Sequence, residues 1–217
     1  MNNKQLFLIS SFLILTFILS GCGTGNPYAA GSFLRGQHFD DNGNNREAAE
    51  AYGSFVRMSP TDSLACEAQY NKALCYIELK EFPLAVVELQ ILRKEYPTSD
   101  FVGDSWFMEA EAQYLQANGP EIDISPAVAA RELYIQFLDL FPDNSSVPIA
   151  QNRLIEISDL VVQKRLFMVK TYMQLRQYDA AMIVLERVLV DEPDSQLLDE
   201  VMKMKDMVEA KQPKTED

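Results

Sequence analysis

From residue 29 to residue 210, apolar side chains recur at three- and four-residue intervals, and no run alternates in the two-residue period of a strand. The pattern predicts an all-α chain. Four prolines interrupt it: Met58-Ser59-Pro60-Thr61-Asp62, Tyr96-Pro97-Thr98-Ser99-Asp100, Phe141-Pro142-Asp143-Asn144-Ser145 and Glu192-Pro193-Asp194-Ser195. Each closes an amphipathic segment, because proline cannot continue a helix, and each brings small polar residues suited to capping the next helix.

Counting back from these prolines exposes a repeat. With Pro97 at position 32 of a 34-residue unit, Ala73, Tyr76, Phe82, Ala85 and Leu89 fall at positions 8, 11, 17, 20 and 24. The same count from Pro60 places Gly36, Phe39, Ala48 and Tyr52 at 8, 11, 20 and 24. From Pro193 it places Tyr172, Tyr178, Ala181 and Leu185 at 11, 17, 20 and 24, and from Pro142 it places Ala130, Tyr134 and Phe137 at 20, 24 and 27. Small residues at 8 and 20 let two helices approach closely, and the larger ones fill the space beside them. These positions resemble the tetratricopeptide (TPR) signature, which implies a TPR superhelix of about four helical hairpins.

The repeats are unequal. Ala117-Asn118-Gly119-Pro120-Glu121-Ile122-Asp123-Ile124-Ser125-Pro126 lengthens the loop inside the third. The fourth opens with a helix expected from about Ser146 to Leu175, roughly twice the standard length, along which Ile149, Leu154, Ile157, Val161, Met168, Tyr172 and Leu175 keep one stripe. Leu197, Leu198, Val201, Met204 and Val208 predict a final helix that caps the exposed end of the solenoid. Residues 211–217 read as a polar, disordered tail.

The first residues belong to a different regime. A run from Leu6 to Leu19, almost wholly apolar, follows Lys4 and the terminal amine; this is a signal peptide's layout, short for a membrane span. It ends in Leu19-Ser20-Gly21-Cys22, which looks like the lipobox of bacterial lipoproteins, where the chain is cut before the cysteine and the thiol is diacylated. The expected division is therefore 1–21 signal peptide, 22–28 flexible tether rich in Gly, Asn and Pro, 29–210 solenoid and 211–217 tail. Gly23, rather than Asp, after Cys22 favours the outer membrane, lipid-anchored and facing the periplasm.

Charge narrows the function. The chain carries 19 basic and 32 acidic side chains, a formal net charge of −13, which disfavours nucleic acid because its binding needs cations to displace counterions. One histidine, three cysteines and nine glycines leave little material for a metal site, a His-based triad or a phosphate loop, so no catalytic residue, metal or cofactor is expected. Cys66 and Cys75, nine apart in one helix, lie about 13 Å apart, too far to bridge.

A lipobox followed by TPR hairpins resembles the BamD (YfiO-like) family, the lipoprotein subunit of the machine that inserts β-barrels into outer membranes. Phe141-Pro142-Asp143-Asn144-Ser145-Ser146-Val147-Pro148-Ile149-Ala150, then Arg153 and Leu154, is similar to that family's turn into a long helix. Tyr172 and Tyr178-Asp179-Ala180-Ala181 are similar to its next hairpin, and the insertion before Ala130 sits where the family carries one. The resemblance implies binding of unfolded outer-membrane proteins, docking on a POTRA domain of BamA, and association with other lipoproteins of the BAM complex. Two departures stand out: members usually carry five repeats, whereas one helix follows the fourth here, and Lys164 and Arg165 are basic where the family tends to be acidic.

Candidate surfaces follow from the repeat positions. The groove of a TPR stack is lined by its first helices, which brings forward Phe33, Gln37 and Asp40 in repeat one and Tyr70, Leu74, Ile77 and Glu78 in repeat two. Its aromatic, cation-poor character suits an extended segment with apolar side chains rather than an acidic chaperone tail. Residues 153–187 form a basic island, with 6 basic and 4 acidic side chains against 8 and 19 in residues 22–152. Arg153, Lys164, Arg165 and Arg176 are thereby candidates for docking an acidic partner. A TPR lipoprotein that scaffolds envelope division or secretion shares the anchor and the repeats, and stands as the alternative.

Overall fold

The computed structural model describes residues 26–117, 119 and 122–212. The expected signal peptide, Cys22 and tail residues 213–217 lie outside the described residues. Among the described residues there are nine helices and no strand: α1 (Phe33–Asp41), α2 (Asn45–Met58), α3 (Ala65–Glu78), α4 (Phe82–Glu95), α5 (Phe101–Tyr114), α6 (Ser125–Leu140), α7 (Val147–Gln174), α8 (Tyr178–Asp191) and α9 (Leu198–Glu209). They pair in chain order as four hairpins, α1/α2 to α7/α8, with α9 packed on the last. The expected TPR superhelix with a terminal helix is the fold.

Burial follows the repeat register. Position 20 is Ala48, Ala85, Ala130 and Ala181, each 0% exposed, and position 24 is Tyr52, Leu89, Tyr134 and Leu185, each at most 1% exposed. Position 27, three residues further along the same face, is Phe55, Leu92, Phe137 and Val188, all buried. At position 8 of the first hairpin, a Cβ added to Gly36 would lie 2.4 Å from Cδ1 of Tyr52, so no larger residue fits without moving α1 off α2.

The turns between hairpins share one chemistry, and it differs from simple side-chain capping. In each, the residue two after the proline donates its N–H to the carbonyl of the residue before the proline: Asp62 to Ser59, Ser99 to Tyr96, Asn144 to Phe141, Ser195 to Glu192. That is a β-turn with proline at its second position, where the fixed φ is already correct. The side chains of Asp62, Ser99, Asn144 and Ser195 then accept the N–H two residues on, at 2.8–3.1 Å, and so aim the chain into the next helix without acting as N-caps themselves. Inside hairpins one, two and four, Gly43, Lys80 and Arg176 occupy the equivalent left-handed position, with φ of 71°, 58° and 57°. Paired backbone bonds at each, such as Lys80 N to Ile77 O and Glu81 N to Tyr76 O, close the helix end in the Schellman manner.

Three apolar clusters form the core, and α7 belongs to two of them. Ala150 and Ile157 in its first half pack with Phe107, Tyr134 and Phe137 of hairpin three. Val162, Leu166 and Val169 in its second half pack with Leu185 and Val188 of α8 and with Val201, Met204 and Val208 of α9. The doubled length lets one rigid element, about 42 Å long at 1.5 Å per residue, finish one core and found the next. Residues 26–28, assigned to the tether by composition, lie instead against α1: Asn26 Nδ2 donates to Arg35 O at 3.1 Å, and the Tyr28 ring meets His38 edge-on at 5.8 Å. Cys66 and Cys75 are both free thiols; burial pushes the Cys75 thiol up to about 12, with the nearby Asp40 adding to it.

Candidate functional site

The sequence-derived groove residues occupy α1 and α3 but play different parts. Phe33 is half-buried, its ring 5.5 Å from Tyr52 and 5.8 Å from Phe55, so it closes the first hairpin. Tyr70 lies against Phe101 of the third hairpin, ring centroids 5.1 Å apart. Burial, with Asp104 nearby, pushes its phenol up to about 12. Leu74 and Ile77 are half-buried, while Gln37, Asp40 and Glu78 are exposed. Although the residue as a whole is exposed, partial desolvation of its carboxyl, with the neighbouring Asp41 and Glu78, holds Asp40 above its usual range, against the pull of the Tyr52 hydroxyl that donates to it at 3.3 Å. The inner face of repeats one and two thus combines partly covered aromatic and aliphatic surface with an acidic field.

The four basic candidates do not form one patch. Arg153 is held within the fold: its Nε and Nη2 donate to the two Glu111 oxygens at 2.8 and 3.1 Å, its Nη1 donates to Glu156 at 2.6 Å, and its guanidinium lies 4.7 Å from the Tyr114 ring centroid. Eleven residues further, about 16 Å along the helix, Lys164 donates to the carbonyl of Ile122 at 3.1 Å and ties the inserted loop to α7. Arg165 pairs with Asp191 at 2.9 Å across to α8. Arg176 is exposed in the left-handed turn after α7.

What sequence reasoning missed is a polar joint between hairpins three and four. Glu111 on α5 also accepts the Tyr134 hydroxyl at 2.5 Å, and Tyr114 donates to Glu156 at 3.1 Å. On the opposite side, Glu192 at the end of α8 accepts two bonds from Arg131 of α6, at 3.2 and 2.8 Å, and one from Ser158 of α7 at 2.8 Å. Beside that pair lies a cleft of about 410 Å³ lined by Ile135, Leu154 and Ile155, with Asp191 and Asp194 at its rim. These partners are 23 to 61 residues apart, so local spacing carries no sign of them; only the buried-face positions of Glu111, Ser158 and Glu192 would have flagged them.

Glu109 and Glu111, two apart on α5, are separated by their partners. Glu109 pairs with Arg93 and accepts from Gln90 at 2.8 Å, whereas Glu111 faces Arg153 and Tyr134. Among the described residues no helix is long and apolar enough to cross a membrane, and no group of His, Cys, Asp and Glu has a metal-holding arrangement.

No curated protein matches the chain. The family model described as YfiO, outer membrane lipoprotein, matches residues 29–215, which takes in every helix of the solenoid. The chain belongs to the YfiO (BamD-like) family of outer membrane lipoproteins.

Proposed function

We propose that this YfiO-family lipoprotein is a non-enzymatic assembly factor, anchored through Cys22 and facing the periplasm, that binds unfolded outer-membrane proteins and presents them to a POTRA domain of BamA. The observation that carries the reading is the family match across the whole solenoid. The inner face of α1 and α3 supports it: Gln37 is exposed to bond a client's backbone, and half-buried Leu74 and Ile77 offer apolar surface beside it. Ordering of an unfolded client keeps such affinity modest. At the other end, exposed Arg176 offers the positive charge for docking, with half-buried Lys164 and Arg165 able to join it only by leaving Ile122 O and Asp191, and Arg153 belonging to the joint instead.

Affinity capture from solubilised envelopes tests the proposal. BamA is expected at stoichiometric level with the wild-type chain and reduced, in a salt-dependent way, with Arg176→Glu. Division or secretion proteins in place of BamA would show the chain to be an envelope scaffold of another kind.

A further inference from the structure

We infer that the open end of repeat one rests on the bilayer, with Tyr28, Leu34 and Arg35 at the lipid headgroup layer and Gln37 turned to the groove. The inference rests on the proposed acylation of Cys22 and adds an orientation to it.

The first observation is reach. The chain joins the fold at Asn26, whose side chain donates to Arg35 O at 3.1 Å and accepts from Tyr28 N at 3.0 Å, while Arg35 Nη1 donates to Tyr28 O at 3.0 Å. Asn26 is therefore fastened to α1. Cys22 precedes it by four residues, which span at most about 14 Å when fully extended. A headgroup layer is itself roughly 5–7 Å deep, so α1 cannot stand off the surface by more than a helix diameter.

The second observation is charge. No carboxylate occurs before Asp40, although the chain holds 32 acidic side chains. Within that stretch Arg35 and His38 face the docked segment from α1, and Glu47 and Glu50 of α2 flank the pocket that Arg35 shares with Ala30 and Gly31. Arg35 is the cation that this stretch offers to a headgroup phosphate.

The third is surface chemistry. Among the described residues no hairpin precedes α1 at this end, which exposes Tyr28 (39%) and Leu34 (50%). An amphipathic ring with a hydroxyl at its edge is the side chain enriched at membrane interfaces, and an isolated leucine beside it adds apolar area that the interface accepts. Arg35, Tyr28 and Leu34 thus lie together in the first repeat, the end nearest the proposed anchor.

Depth-sensitive fluorescence quenching on the full-length acylated protein, reconstituted in phosphatidylethanolamine–phosphatidylglycerol vesicles, tests this. Tyr28→Trp in a Trp106→Phe background is expected to be quenched by brominated lipid, as an interfacial aromatic is, whereas native Trp106 of hairpin three, its ring covered by the Arg93 guanidinium, keeps its emission. Leu34→Trp provides the same readout without touching the Tyr28 contacts. Leu34→Glu added to the Tyr28→Trp variant is expected to weaken quenching at low salt and less so at high salt. Vesicle flotation separates the outcomes: a protein that floats with both reporters unquenched keeps its anchor and overturns the orientation. A protein that does not float overturns the anchor and the orientation together.

Discussion

Replacing Arg153 by methionine tests the polar joint between hairpins three and four. The substitution keeps most of the side chain's apolar length but removes the only cation that the Glu111 carboxylate meets among its hydrogen-bond and ion-pair partners in the described residues. Glu111 is 11% exposed in its side chain and Arg153 26%, so the pair is buried on the acid's side and partly wet on the base's. Removing one partner of a fully buried pair costs about 3–5 kcal/mol; with the guanidinium a quarter exposed, the expected loss is about 2–3 kcal/mol. For a chain of this size that is a fall in Tm of roughly 4–12 °C. The companion variant Glu111→Gln keeps an acceptor for Tyr134 while removing the charge, so the double variant is expected to recover much of the loss, with a coupling energy above about 1 kcal/mol. In a repeat protein, stability is a sum of repeat and interface contributions, so weakening this interface should also split thermal unfolding into two steps, the α8–α9 end melting first. Circular dichroism melts and urea titrations of the two single variants and the double variant provide all three readouts. A cost for Arg153→Met under about 0.5 kcal/mol, with no coupling to Glu111, would refute the reasoning and return Arg153 to the set of docking residues.

Two further predictions concern single positions. Lys80→Gly relieves the left-handed strain of a residue with a Cβ and is expected to stabilise the chain by about 0.5–1 kcal/mol, net of the entropy glycine adds to the unfolded chain, as read in the same melts. Asp40 has a folded pKa above its unfolded one, so its ionised form opposes folding at neutral pH and that opposition fades as pH falls through the folded value. Asp40→Asn should therefore raise Tm near pH 7 and leave it unchanged near about pH 3, where the wild-type carboxyl is already protonated.

Local periodicity made the helices legible, because proline and the small residues at positions 8 and 20 act within one hairpin and repeat at a constant interval. The doubled helix was legible for the same reason: one apolar stripe runs unbroken from Ile149 to Leu175. Side-chain roles at hairpin junctions were not. Tyr70 reads as an open platform by its repeat position, yet its ring lies on Phe101, thirty-one residues away on a helix whose angle no local rule sets. Arg153 reads as surface charge in a basic segment, and only the packing of α5 beneath α7 brings Glu111 to it. Composition alone does not say how residues 26–28 pack, since Gly, Asn and Pro suit a tether and a tight docked segment equally; the bond from Asn26 to Arg35 O fastens them to α1.

The helix shared by two cores also sets a timetable. A chain that folds in the order of its delivery, N-terminus first, completes three hairpins and the first half of α7 from residues already present. The second half then extends for about 21 Å with Val162, Leu166 and Val169 bare, because their cover lies in α8 and α9, which arrive last. The interval of greatest exposure to aggregation therefore comes late, after most of the solenoid is sound. The tight turn at Leu175 to Gln177 shortens it, since α8 needs only a local fold-back, with no long loop to close, to reach its place.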